Sequence, residues 1–288
     1  MRHAAVRSAV TVFALTAAGC AQPPVQDSAR DAPLSLAAAE LAFAAQSVLE
    51  NMRSAFMDHF AADGVFVRDS WVNANAYLAE RPPPPIVLDW KPVYTETAAS
   101  GEMGLSTGPW KLTSTDNTDA APSFGQFVSI WKRAPGKPWK VAVDLGISHP
   151  GPALWDAPLA AIVAPSTGTA AQGIAEAEQR FARDALADGL RSAYARSASP
   201  RMRLYREGEM PAAGMDRALA SATMTDEKTA WIVQRSETAR SNDFGYARGS
   251  YASAAAPGKP LGHFLRVWRL EAGAWRIALD VTNPARSP

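Results

Sequence analysis

The chain has 288 residues, 47% of them hydrophobic and 20% charged, with a formal net charge of +1. That length supports one large domain or two ordinary ones, each with its own core. The near-neutral balance speaks against the strongly basic surface of a nucleic-acid binder and against a long-range acidic field.

At the N-terminus, Arg2 and Arg7 flank the start of a short apolar run, Ala9 to Ala18, that holds Val10, Val12, Phe13 and Leu15. Ala17-Ala18-Gly19 then leads into Cys20, the one cysteine of the chain. A charged start, an apolar stretch and small residues before a cut is the order of an export signal. A membrane span takes about 20 apolar residues, and this run is roughly half that. Small residues ending on Cys20 resemble a bacterial lipobox. That resemblance implies a signal peptide over 1–19, lipidation of Cys20 as the first mature residue, and no thiol left for redox chemistry. Ala21, rather than Asp, follows the cysteine, as in Gram-negative lipoproteins of the outer membrane that face the periplasm. Residues 20–33, with three prolines and few large apolar side chains, read as an extended tether.

From Leu34 the pattern is helical. Leu41, Ala45, Val48, Leu49, Met52, Phe56 and Phe60 recur at three- and four-residue spacing, which predicts amphipathic helices facing a core through that stripe. Asn51 marks a break between two helices, and Asp63-Gly64 reads as the turn into a strand that starts at Val65 and ends on Arg68. A short helix is expected at 74–79, a rigid connector at Pro82 to Pro85, and strands at 87–97 and 103–112. The run from Gly125 to Gly146 predicts a hairpin turning at Pro135-Gly136. Residues 151–172, rich in Pro, Ala, Ser, Thr and Gly, read as a linker, with Leu154, Trp155, Leu159 and Ile162 packed on a domain.

The order of elements then repeats. Ala177-Glu178 and Phe181 answer Ala39-Glu40 and Phe43, and Arg191-Ser-Ala-Tyr194 answers Arg53-Ser-Ala-Phe56. Trp231 answers Trp90, the strand Arg266-Val-Trp-Arg269 answers Ser129-Ile-Trp-Lys132, and Asp280 answers Asp144. Two copies of one α+β domain follow, expected at 34–150 and 173–288. Each has a strongly curved antiparallel sheet with helices on its concave side, a cone open at one end. The motifs Gly104-x-x-x-Gly108-x-Trp110 and Phe127-x-x-x-Trp131, with this element order, resemble the nuclear transport factor 2-like superfamily. Within it they most resemble SnoaL-like and ketosteroid-isomerase-like bacterial domains of unassigned function. The resemblance implies that the cone binds small molecules, and that enzymes of the group place an acidic general base inside it. It also implies dimerisation through the sheet face, which a fused pair satisfies as an intramolecular pseudo-dimer.

No metal ligand set or cofactor motif is legible. The four histidines, His3, His59, His149 and His263, form no His-Glu-x-x-His, and no second cysteine completes a ligand set. Ser129 and Lys132 match Ser-x-x-Lys, but on a strand residues three apart lie on opposite faces, so acyl-enzyme chemistry is rejected. Basic residues around Trp131 and Trp139 read as a solvated face rather than a nucleic-acid surface. Carboxylates inside an apolar cone have raised pKa values, which makes Asp144 the candidate catalytic residue. Arg68, Glu96, Trp110, Ser129 and Trp131 in the first copy, with Arg206, Glu237, Tyr251, Arg266 and Asp280 in the second, are the candidate ligand-binding residues. The Tyr–Asp–Asp set of ketosteroid isomerases does not map onto the chain, since no Tyr stands early in the first helix. The reading is a non-catalytic small-ligand-binding or envelope interaction module, its ligand apolar or amphipathic. The alternative is a SnoaL-like isomerase, cyclase or hydrolase with Asp144 as base. An open cone favours the pocket readings and a plugged one favours a structural role.

Overall fold

The computed structural model describes Met1, residues 35–164 and residues 173–285. The expected signal peptide, Cys20, the tether and the linker stretch 165–172 lie outside the described residues. Each half opens with two helices, α1 (Leu36–Leu49) and α2 (Met52–His59) in the first, α4 (Ile174–Asp188) and α5 (Leu190–Ser197) in the second. Ser35 Oγ accepts from Ala38 N to start α1, and Asn51 Oδ1 accepts from Ser54 N to start α2, so Asn51 is the break and the cap at once.

Helix α1 turns a different face to the core from the one its spacing predicts. Leu41, Ala45, Val48 and Leu49 are exposed, whereas Leu36, Ala39, Glu40, Phe43, Ala44 and Ser47 are buried. Alanine fills both faces of this helix, so apolar periodicity cannot tell them apart, and the acid Glu40 belongs to the inward face.

The first sheet runs in the order β2-β1-β7-β6-β5-β4-β8, with β3 also pairing β5. Its strands are β1 (Phe60–Val67), β2 (Trp71–Asn73), β3 (Ile86–Trp90), β4 (Tyr94–Thr97), β5 (Met103–Ser114), β6 (Ser123–Lys132), β7 (Lys140–His149) and β8 (Ala160–Val163). The short helix α3 (Ala74–Ala79) lies where the sequence puts it. The second sheet, β10-β9-β14-β13-β12-β11, repeats the pattern with β9 (Ala198–Arg206), β10 (Ala212–Ala213), β11 (Thr229–Thr238), β12 (Phe244–Ser253), β13 (Pro260–Glu271) and β14 (Ala274–Pro284), and α6 (Met215–Leu219) stands for α3. Both sheets are antiparallel except where the first strand meets the last, β1 with β7 and β9 with β14, and where β8 joins β4.

Three differences from the sequence reading have local causes. Strand β1 begins at Phe60, and Asp63-Gly64 is an irregularity within it; a Cβ at Gly64 would lie 2.7 Å from the Val141 carbonyl oxygen. The expected strand 87–97 is broken at Lys91-Pro92-Val93 into β3 and β4, because a proline donates nothing to a ladder. The linker carries β8, with Ile162 packed on the core.

The outer faces of the two sheets share one apolar cluster, in which Leu105, Val128, Ile130 and Val143 meet Phe244, Tyr246, Leu265 and Val267. Ser100 and Ser241, equivalent in the repeat, meet with their hydroxyls 2.8 Å apart, and each backbone N–H donates to the other's Oγ. A residue touching its own counterpart is the mark of an isologous, two-fold arrangement. Each concave side keeps its own core, with Phe43, Trp90 and Trp131 in the first and Phe181, Trp231 and Trp268 in the second.

Candidate functional site

Strand β7 decides what faces into the first cone. Ile130 pairs with Val143 but Trp131 with Val141, so Ala142 is an extra residue and the strand changes face there. Trp139 and Val141 join the concave core, Val143 joins the inter-sheet cluster, and Asp144 turns back into the cone. Strict alternation sets Asp144 against Trp139 and Val141, and the bulge puts all three on one side. Strand β14 repeats the device at Ala278, which turns Asp280 inward.

The first cone is open. A cavity of about 680 Å³ is walled by Phe43, Phe56, Phe66, Trp90, Trp110 and Phe127, with Glu40, Ser129 and Asp144 among its polar lining. Gly125 makes room for one wall: a Cβ there would lie 2.2 Å from the Trp110 ring. Asp144 Oδ2 accepts from Ser129 Oγ at 2.8 Å, and its accessible surface opens into the cavity. Burial pushes its pKa up to about 6, against the opposing pull of the Ser129 hydroxyl and the charge of Arg68. Glu40 accepts from the indole N–H groups of Trp90 and Trp131, both at 2.7 Å. Burial raises Glu40 to about 7, although these donors and Ser106 favour its charged form.

The second half also reaches this cavity. Glu207, Asn283 and Pro284 line it; Glu207 accepts from Ser148 N at 2.9 Å, and Asn283 Nδ2 donates to the Gly146 carbonyl at 2.8 Å.

The second cone is filled. Arg266, at the position of Ser129, lies fully buried inside it. Its Nε donates to Asp280 at 2.6 Å and its Nη1 to Glu178 at 2.8 Å. Arg206 pairs with the other oxygen of Asp280 at 2.8 Å. Burial alone would raise Asp280, yet Arg266 and Arg206 hold it below the ordinary carboxylate range; Glu178 remains raised by burial despite Arg266.

Of the sequence candidates, Arg68, Trp110, Ser129 and Asp144 line the open cavity. Trp131 is fully buried and holds Glu40 in place. Arg206, Arg266, Asp280 and Tyr251 belong to the filled cone, with the Tyr251 ring beside Trp231. Glu96 and Glu237 are elsewhere. The break at Pro92 sets β4 out of phase with Trp90, and Glu96 faces Arg269 of the other sheet at 2.9 Å. Glu237 likewise faces Lys132, its inter-sheet counterpart. Both acids therefore join the halves instead of meeting a ligand. The residues missed are Glu40, Glu178, Glu207 and Asn283. An acid at the same place in both opening helices was the available signal for the first two. Among the described residues no cluster of His, Cys, Asp and Glu could hold a metal, and no helix is long and apolar enough to cross a membrane.

No protein-family model matches the sequence, and no curated protein matches it. Solved structures similar in fold include a nuclear transport factor 2-like protein of unknown function from Shewanella oneidensis, 16% identical, which covers 38% of this chain and 94% of its own, with a TM-score of 0.30. Another, from Prochlorococcus, is 21% identical over 40% of this chain and 94% of its own, with a TM-score of 0.32. A proposed SnoaL-like polyketide cyclase from Jannaschia is 13% identical over 40% of this chain and 92% of its own, with a TM-score of 0.29. These likenesses concern fold alone.

Proposed function

We propose that the protein binds a small, largely apolar molecule in the cone of its first half, and that the second half is a non-binding copy fused to it as an intramolecular pseudo-dimer. The observation that carries this is the contrast between an aromatic-walled cavity of about 680 Å³ and the same cone closed by a side chain. A few convergent polar groups in an apolar concavity are the usual form of a small-molecule site. Asp144, Ser129 and Glu40 supply them, and Glu207 and Asn283 extend the site to the rim.

Titration with Nile red, an uncharged apolar dye, is expected to give saturable fluorescence that Leu88→Trp, which narrows the cavity, weakens. An absence of saturable binding by the wild type would sink the pocket reading.

A second reading is proton transfer, with Asp144 as general base. It is favoured by a pKa of about 6, closer to neutrality than an ordinary Asp. Turnover of an enolisable apolar ketone that Asp144→Asn removes, while Nile red still binds, would establish it.

The cellular setting belongs to the same proposal, on the strength of the lipobox-like approach to Cys20. The protein is a lipid-tethered module of the cell envelope, in the outer membrane and facing the periplasm. Mass spectrometry of the mature N-terminus is expected to find an acylated Cys20, and Cys20→Ala to release the protein from the membrane fraction. An unmodified N-terminus at any other residue would refute the tether.

A further inference from the structure

The repeat supplies a second view of the binding site, because the cone of the second half is the same cone with its contents in place. The Arg266 guanidinium there lies 3.8 Å from the centroid of Phe181, 4.5 Å from Trp231 and 5.1 Å from Phe264, close enough for cation–π attraction to each ring. Its hydrogen bonds run to two carboxylates, Glu178 and Asp280. Aromatic faces and paired acids around a planar cation form a built cage.

Three rings and both acids of that cage recur in the first half, while Tyr194, 5.8 Å from the guanidinium, is answered by Phe56, which lacks its hydroxyl. Phe43, Trp90 and Phe127 stand for Phe181, Trp231 and Phe264, and Glu40 and Asp144 stand for Glu178 and Asp280. All five line the open cavity. The equivalence is structural as well as numerical. Trp131 donates to Glu40 as Trp268 does to Glu178, and Ser129 pairs in register with Asp144 as Arg266 does with Asp280. The side chain at the Ser129 position is short where Arg266 is long, and the second oxygen of Glu40 accepts from the Trp90 indole where that of Glu178 accepts from Arg266.

Charge leads the same way. The second cone sets Arg206 and Arg266 against Glu178 and Asp280, two against two. The first sets Arg68 alone against Glu40 and Asp144, with Glu207 a further acid at the rim. With both inner acids ionised, the first cone is one positive charge short of its twin.

We propose that the ligand of the first cone carries a guanidinium or ammonium head group, seated between Glu40 and Asp144 against Phe43, Trp90 and Phe127, as Arg266 is seated in the second cone. This rests on the pocket reading above and names the chemistry of what the pocket takes. The apolar body of the ligand lies along the outer wall of Phe56, Ile86, Leu88 and Trp110.

Proton linkage follows. The groups that face the head group are Glu40 on α1, Asp144 on β7, Arg68 after β1 and Glu207 from the second half, with His59 of α2 stacked behind Phe43. Arg68 keeps its charge throughout the working range. His59 is held below the ordinary histidine range by burial and by Lys140, which favours its neutral form. Glu40 at about 7 and Asp144 at about 6 are therefore the groups that release protons as a cation binds.

The test is calorimetric titration with four probes of one chain length: hexylguanidinium, hexylammonium, hexan-1-ol and hexanoate. At pH 8 the two cations are expected to bind about tenfold or more tighter than the alcohol, with hexanoate weakest. Between pH 8 and pH 5 the affinity for hexylguanidinium is expected to fall about tenfold or more, as the acids take up protons, while the alcohol changes little. Ser129→Arg, which places a tethered guanidinium in the cage, is expected to abolish hexylguanidinium binding and raise the melting temperature. Should that variant fail to fold, Asp144→Asn carries the same test, with loss of preference for cation over alcohol.

Equal binding of alcohol and cation overturns the inference, as does an affinity for hexylguanidinium that does not change with pH. Nile red still binding in either case would leave the pocket reading standing. Binding of none of these probes, Nile red included, would remove both.

Discussion

The two cones of this chain solve one physical problem in two ways. Each has a carboxylate from its first helix and another from its last strand inside an apolar, aromatic interior, where an isolated charge is costly. The second cone compensates with cations, and Arg266 and Arg206 hold Asp280 ionised. In the first, Ser129 gives Asp144 a hydroxyl in place of a guanidinium, and Glu40 and Asp144 are pushed towards protonation instead. The difference teaches that the side chain at one position decides whether the acids of a cone are paired or line a cavity. Where Arg266 fills the second cone, Ser129 leaves the first with an open cavity whose acids are pushed towards protonation.

The hardest way to break that comparison is to give the second cone the residue of the first. Arg266→Ser leaves Glu178 without its ion pair and Asp280 with Arg206 alone, in surroundings fully shielded from water. Removing one partner of a buried ionic network costs about 3–5 kcal/mol. Urea unfolding at pH 8 is expected to show a loss of that size. If the variant stays within about 1 kcal/mol of wild type, the second cone is not held together by its charges.

How much of this was legible beforehand depends on which residue is asked about. The duplication was readable because paired tryptophans, glycines and acids recur at nearly constant offsets, and the α+β class followed from element order. Asp144 was legible as an acid among Val, Ala and Leu. Its direction was not, because the extra residue at Ala142 reverses the face of β7 without leaving a mark in composition. Glu40 was hidden by convention, since an acid on a helix is expected to face water. Only the two indole N–H groups that converge on it, one from β3 and one from β6, explain its burial. Glu96 failed for the opposite reason. A strand treated as continuous carries its phase through Pro92, whereas the real chain restarts there. Residues supplied by the other half, Glu207 and Asn283, were out of reach, because docking between repeats is not written in either repeat alone.

A gentler way to sharpen the comparison uses pH. Glu40 rises from an ordinary value of 4.5 to about 7 on folding, so the folded protein binds protons more readily than the unfolded chain between those values. The stability this contributes is fully present below pH 4.5 and is lost as pH rises through 7. At most about 3 kcal/mol is at stake. Glu40→Gln, which keeps an acceptor for one indole, is expected to flatten the fall in unfolding free energy between pH 5 and pH 8. A ligand cation is expected to do the same in wild type, by replacing the missing proton. A variant whose pH profile runs parallel to wild type would assign the slope to other groups.

The smallest effect separates the halves at their junction, where the twofold relation is also imperfect. Arg269 and Glu96 form a buried pair at 2.9 Å, and Tyr94 adds a hydroxyl donor to the same carboxylate. The equivalent pair, Lys132 with Glu237, is partly open to solvent at 37% and 20% side-chain exposure, and Arg235 shares the acid. Solvent screens such pairs, and exposed ones contribute about 1 kcal/mol or less. Lys132→Met is therefore expected to cost no more than that, and its effect to vanish in high salt. Arg269→Met removes the only cation bonded to a fully buried Glu96 among the described residues, and is expected to cost several times more. Equal losses from the two would mean that the junction is held by its shared apolar cluster, and that its ion pairs serve only to fix which faces meet.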